Sequence, residues 1–290
     1  MKKLLFGTAG IPHSAKVESS VGGIRQVRML GLKCMELEFV QGVRVGEDKT
    51  KEIAEAAKED EIALSVHAPY FINFNSQEKQ KVYASRQRLL QSARIGSLCG
   101  AASVIFHPGF YMGKEKAAAY KVIKQEIERI VNTLKDEGNP MLIRPEVTGK
   151  HSSFGDLEEV LALSSEIDNV LPCVDFSHLH ARTGRYNSYE EFCSVLNFVN
   201  DELGKEALHN MHIHIAGIQY GPKGERKHLN LEESDMNYSD LLRALRDYDV
   251  CGTVICESPN LEEDAVLLQK KYKSLSRNKK KTALSKMGEC

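Results

Sequence analysis

Short apolar, β-rich runs alternate with longer amphipathic runs eight times along this chain, and that alternation limits the fold more than any other feature. The apolar runs lie at 4–7, 34–39, 62–68, 103–106, 141–147, 171–176, 211–215 and 252–257. Helical periodicity follows each of them, at about 20–30, 48–58, 79–99, 114–136, 156–165, 188–203, 238–247 and 261–273. Serines precede the first helix as caps, and Gly100, Gly138 and Gly204 follow three others as stops. Eight strand–helix units within about 275 residues match the count and size of a closed (β/α)8 TIM barrel; an open doubly wound sheet would not need eight. One barrel domain is expected over 1–275, with a basic, disordered tail at 276–290. From Lys270 to Lys286 the chain carries eight Lys or Arg and no acid, a run that can touch phosphates but is more often simply solvated.

In such a barrel the active groups sit where strands run out into the loops before the helices. Six consecutive strands, the third to the eighth, each end in a metal-capable side chain: His67, His107, Glu146, Asp175, His214 and Glu257. Alternate positions at a strand end point inward, so the six are expected to converge in one mouth. Taken singly, a strand-end His is more often a packing residue, and an Asp or Glu a helix cap. Their joint placement is what argues for a shared site. Three carboxylates buried together without cations would cost several kcal/mol per ion, so positive charge is expected there. Imidazole with carboxylate and no thiolate suits zinc, with manganese or iron as alternatives. His178 lies three residues after Asp175 and can face the same mouth. His228 lies in a stretch after the seventh strand, 217–237, that is too long to be a mere connector. His212, two residues before His214, faces the same way, and the spacing leaves open which of the two reaches the mouth.

Charge and cysteine usage narrow the setting. With 39 basic against 40 acidic residues, a nucleic-acid partner must be held by local arrangement, not a global field. Seven scattered cysteines without a CxxC pair argue against a disulfide framework or a thiolate zinc ribbon and fit reduced thiols in a cytoplasmic protein. No stretch approaches the roughly 18 apolar residues of a membrane span, and no signal peptide is expected.

Ser65-Val-His67-Ala-Pro-Tyr70 with Ile72-Asn73, His107-Pro-Gly109, Pro145-Glu146, Asp175-Phe-Ser-His178, His212-Ile-His214 and Cys256-Glu257 together resemble the endonuclease IV family of apurinic/apyrimidinic-site nucleases. The resemblance covers nearly all the chain before about residue 275. It implies a zinc-dependent enzyme, probing double-stranded DNA for abasic sites and hydrolysing the phosphodiester on their 5′ side, with two or three cations per chain. His67, His107 and Glu146 would hold the first cation; Glu146 would bridge to a second, completed by Asp175, His214 and Glu257; His178 and His228 would belong to a third. Glu146 and Glu257 would carry the catalytic roles. Tyr70 matches a position that enters the duplex, with Phe71 beside it and Arg44 a weaker candidate. The family's third cation also takes an aspartate two residues before the loop histidine, where this chain has Arg226, which cannot bind a cation. Glu225, or Glu232 and Glu233, would have to substitute through a rearranged loop; otherwise two cations and Arg226 face the phosphate. A monomer is expected.

Two rivals compete with this reading. A sugar isomerase or epimerase of the xylose-isomerase-like barrels would share Glu146, Asp175, His214 and Glu257 around one divalent cation, and His67, His107 and His228 are what separate the two. A metal-stabilised protein that binds damaged DNA without cutting it is the second.

Overall fold

The computed structural model describes residues 3–275; the expected basic tail, 276–290, lies outside the described residues. The elements run in chain order β1 (Leu4–Ala9), α1 (Ser20–Met29), β2 (Cys34–Glu38), α2 (Glu47–Glu59), β3 (Ala63–His67), α3 (Lys79–Leu98), β4 (Ser103–Phe106), α4 (Lys116–Asp136), β5 (Leu142–Pro145) and α5 (Leu157–Glu166). They continue with β6 (Cys173–Asp175), α6 (Phe176–Thr183), α7 (Tyr189–Leu203), α8 (Lys205–Leu208), β7 (Met211–Ile215), β8 (Gly217–Gly221), β9 (Gly224–Leu229), α9 (Tyr238–Asp247), β10 (Gly252–Cys256) and α10 (Glu262–Ser274).

Eight strands form one parallel sheet in the order β5-β4-β3-β2-β1-β10-β7-β6, the expected (β/α)8 TIM barrel. The sheet closes between β5 and β6 through two isolated parallel bridges, Ile143 to Val170 and Glu146 to Cys173. Buried Arg144 supports that seam from inside, donating to the carbonyls of Pro172 at 2.9 Å and Asn210 at 3.0 Å. The strands are buried almost throughout because helices cover their outer faces and side chains fill the interior. α4 is typical of the cover: Ile123, Ile127, Ile130 and Leu134, at helical spacing, are buried against the sheet.

Two departures from the sequence reading bear on the site. α6 begins directly at the end of β6, with the Asp175 side chain accepting the His178 backbone N–H at 2.7 Å as the helix N-cap, so no loop separates strand from helix. The long stretch after β7 is an antiparallel hairpin, β8–β9, folded over the mouth of the barrel.

Candidate metal centre

His67, His178 and His228 each have one ring nitrogen held by a backbone carbonyl, which leaves the other for the mouth. His67 Nδ1 donates to the Ala68 carbonyl at 2.8 Å, which leaves Nε2 facing Glu146 Oε2 at 3.1 Å. His107 Nε2 lies 2.9 Å from the same oxygen. His178 Nδ1 is held by the Val147 carbonyl at 3.1 Å and by Asp175 Oδ2 at 3.0 Å, leaving Nε2 3.3 Å from His228 Nε2 and 3.5 Å from Glu225 Oε2. His228 Nδ1 donates to the Glu257 carbonyl at 3.3 Å. His214 Nδ1 lies 3.3 Å from both Glu146 Oε1 and Glu257 Oε1. A neutral imidazole has one donor and one acceptor nitrogen, so several of these inward atoms are lone pairs facing other acceptors. They repel one another unless a proton or a cation sits between them.

The spacing suits a cation. Two ligand atoms about 2.0–2.2 Å from one tetrahedral zinc stand about 3.3–3.6 Å apart, close to the separations here. Three groups at the mouth have ligand atoms near enough to share an ion: His67, His107 and Glu146; Glu146, Asp175, His214 and Glu257; and His178, Glu225 and His228; a fourth, Cys173, His212 and His214, lies in the layer below. Glu146 belongs to the first two and is fully buried at the centre. Asp175 uses Oδ1 for its cap, which leaves Oδ2 for the cluster.

Electrostatics points the same way. Burial opposes charge on Glu146, but His107 and His214 outweigh it and hold the carboxyl well below the usual carboxylate range. Burial opposes charge on His67 too, yet Glu146 pushes it up to about 10. Burial is likewise overcome at His178 by Asp175, and at His214 by its thiol and carboxylate neighbours, so both are raised well above the ordinary value. The carboxylates thus draw protons onto the imidazoles, and a bound cation must displace those protons. A raised histidine is protonated below its shifted value, so cation affinity falls as the pH drops. Apparent zinc affinity, measured by competition with a chelating dye, is therefore expected to rise steadily between about pH 6 and pH 8 with proton release on binding; a flat profile would contradict this charge balance.

The third group depends on how the hairpin docks. Register runs Ile218 to His228 and Gln219 to Lys227, then Tyr220 to Glu225, which leaves Arg226 as the extra residue of a β-bulge. The bulge shifts the alternation by one and brings Glu225 to the face of His228, while exposed Arg226 stays outside the cluster. Gly149 and Gly224 make the docking possible. The Glu225 backbone N–H donates to the Gly149 carbonyl at 2.9 Å. A Cβ on Gly149 would lie 2.6 Å from Glu225 Cβ and 3.0 Å from His178 Cδ2, and one on Gly224 would lie 2.2 Å from the Gly149 carbonyl oxygen. Arg226, expected to face the phosphate if the third group failed to form, is thus replaced at the cluster by Glu225. Glu233 caps the turn at Leu231–Glu233 instead, and Glu232 is exposed.

Other expected positions line the rim. Tyr70 and Phe71 are exposed beside the histidines, the Tyr70 ring 5.7 Å from that of His67, and exposed Phe110, which also lines the cavity, extends the apolar edge. Arg44 is exposed on the loop after β2, bonded to Gln41. A cavity of about 510 Å³ lined by His67, Tyr70, His107, His178, Glu225 and Glu257 opens between them. His212 sits one layer below His214, against Thr253 at 2.9 Å, which settles the strand-seven ambiguity in favour of His214 at the mouth.

Sequence reasoning placed β2 but missed its two acids. Glu36 is fully buried inside the barrel, and Glu38, paired in register with His67, is pushed up to about 8, chiefly by burial. Two acids two apart in an otherwise apolar strand were the available signal.

The family model for the xylose isomerase-like TIM barrel matches residues 24–276. An uncharacterized protein of Methanocaldococcus jannaschii is 48% identical over 94% of this chain and 98% of its own length. The probable endonuclease 4 of Staphylococcus saprophyticus is 28% identical over 72% of this chain and 71% of its own. Among solved structures, endonuclease IV from Thermus thermophilus superposes with a TM-score of 0.72 at 17% identity, covering 92% of this chain and 97% of that one. A D-tagatose 3-epimerase-like protein does so with a TM-score of 0.68 at 19% identity, covering 93% and 96%. At these identities the structural likeness is one of fold and does not choose between the two chemistries.

Proposed function

The chain belongs to the xylose isomerase-like TIM barrel family, and we propose that within it the protein is a zinc-dependent phosphodiesterase that hydrolyses DNA on the 5′ side of abasic sites. The observation that carries this reading is the number of ligand groups. One divalent cation, as a sugar isomerase or epimerase would use, needs only Glu146, Asp175, His214 and Glu257. This mouth adds His67 and His107 on one side and His178, Glu225 and His228 on the other, a donor set of nitrogen and oxygen that fits zinc, with manganese as the alternative.

Cations held by these groups would supply Lewis acidity toward a phosphodiester and lower the pKa of water. Glu146 ties the first two groups together and, being buried, stays ionised only because imidazoles surround it. Glu257 is the carboxylate of its group most open to solvent, its side chain 14% exposed, and is assigned the orientation of the attacking water. Tyr70 and Phe71 form an apolar wedge for a duplex interrupted by a missing base, and Arg44 and Arg226 offer phosphate contacts. The likeness to probable endonuclease 4 supports this substrate. On the same reading the protein acts in the cytoplasm as a monomer. Among the described residues Cys34, Cys99, Cys173, Cys193 and Cys256 form no disulfide, and no helix is long and apolar enough to cross a membrane.

The rival isomerase reading draws on the four-ligand group and on the epimerase-like fold. A duplex bearing one abasic analogue separates the readings. Incision on its 5′ side, abolished by chelator and restored by zinc, is expected. Turnover of a ketose with about one cation per chain and an intact duplex would select the isomerase, and tight binding without incision would select a non-catalytic damage-binding protein.

A further inference from the structure

The hairpin docks on the loop after β5, and that loop is held from its other side by a buried cation. The carbonyls flanking Gly149, those of Thr148 and Lys150, both accept from Arg182 Nη1, as does the carbonyl of Ser153. The Gly149 carbonyl instead accepts the Glu225 backbone N–H at 2.9 Å, and Lys150 bridges antiparallel to Gly224. Arg182 Nη1 carries two hydrogens for these three carbonyls and Thr148 Oγ1, so the hydrogens are shared among them. Nη2 donates to Tyr111 Oη at 3.3 Å, and the phenol donates on to Glu159 Oε2 at 2.7 Å. Glu159 in turn accepts from the backbone N–H groups of Gly155 and Asp156, where the loop runs into α5. Arg182 is buried, and every hydrogen-bond partner of its guanidinium is a neutral oxygen.

We propose that Arg182 is a positioning residue for the third group: by holding the loop 148–153 it sets where the hairpin places Glu225. The inference rests on the metal-centre reading above. His178 and Arg182 lie one turn apart on α6. The helix that supplies one ligand of the group thus also fixes the seat of β9, which supplies Glu225 and His228. Three carbonyl oxygens converge on one guanidinium, and without it they lack a donor, so the loop must shift or open to water. Any shift of Gly149 passes to Glu225 through their shared hydrogen bond. The far side of the hairpin is tied separately: Tyr220 Oη donates to Asp235 at 2.7 Å, and its ring lies 4.9 Å from that of His180. Loss of Arg182 therefore frees the edge that carries Glu225 and leaves the hairpin attached.

The test uses the whole chain, first without metal and then with zinc. In metal-free protein, hydrogen exchange at the Glu225 backbone amide is expected to be about tenfold faster in Arg182→Met than in wild type, with the barrel strands unchanged. In zinc titrations against a chelating competitor, wild type is expected to take up three cations per chain. Arg182→Met is expected to bind one of them about 10–100-fold more weakly and the other two as wild type does. An arginine that served stability alone would lower the melting temperature and weaken all the cations alike, or none; either pattern overturns the proposal. Wild-type exchange at Glu225 in the folded variant overturns it as well. If Arg182→Met does not fold, Arg182→Lys, which keeps the charge but not the planar fork, carries the same comparison. If neither folds, the residue serves the fold as a whole and the proposal fails. Wild-type protein that takes up fewer than three cations would remove the third group and this role together; three cations held equally well by wild type and variant remove the role of Arg182 alone.

Discussion

Replacing Glu146 with glutamine is expected to lower incision of an abasic duplex by on the order of 10²–10⁴-fold while the barrel remains folded. Glutamine keeps the shape of the side chain and removes its charge. Four imidazoles, on His67, His107, His178 and His214, lie within 3.3 Å of this one carboxylate, so its charge is shared by more of the cluster than any other. Removing one preorganised electrostatic group from an active site costs about 10²–10³-fold in rate, and loss of a cation that the group holds adds to it. Because Glu146 sits in two of the three groups, the variant is expected to lose cations from both. Circular dichroism and metal analysis on the same sample check fold and occupancy. A folded Glu146→Gln protein with wild-type incision and wild-type metal content would contradict its bridging role.

Removing the third group is expected to have the next largest effect. Glu225→Ala should cost one cation per chain and about 10²-fold in incision, the scale on which a single charge-stabilising group contributes to a transition state. Gly149→Ala should do the same without replacing a ligand, since its added methyl would press on Glu225 and His178 together. Arg226→Asp is expected to leave metal content unchanged, because the bulged residue projects outside the cluster. If Arg226→Asp instead raised the metal content while Glu225→Ala left it alone, the ligand assignment within the hairpin would be wrong.

The barrel was legible because parallel strands buried on both faces are short apolar runs, and each is punctuated by a longer amphipathic helix. The addresses of His67, His107, Glu146, Asp175, His214 and Glu257 followed from the rule that barrel chemistry gathers at strand ends. α6 escaped notice because it starts on the residue that ends β6: Asp175 closes the strand and caps the helix at once, with no turn residues between. The β8–β9 hairpin escaped because its tip, Gly221-Pro-Lys-Gly-Glu-Arg-Lys-His228, is charged and carries no apolar alternation. Whether Glu225, Glu232 or Glu233 served the third group depended on a bulge, and a bulge is a fact of pairing that one strand's sequence does not record. The acids of β2 were overlooked for a different reason. Glu36 and Glu38 interrupt an apolar strand two residues apart, and a buried carboxylate there makes sense only beside the imidazoles of a strand more than 170 residues later in the chain.

Diffraction from crystals grown with zinc, recorded on both sides of the zinc absorption edge, tests the cluster most directly. Anomalous peaks are expected about 2.0–2.2 Å from the ligand atoms, two of them flanking Glu146 and a third among His178, Glu225 and His228. A single peak held by Glu146, Asp175, His214 and Glu257 alone, or no peak at the mouth, would contradict the proposed nuclease centre.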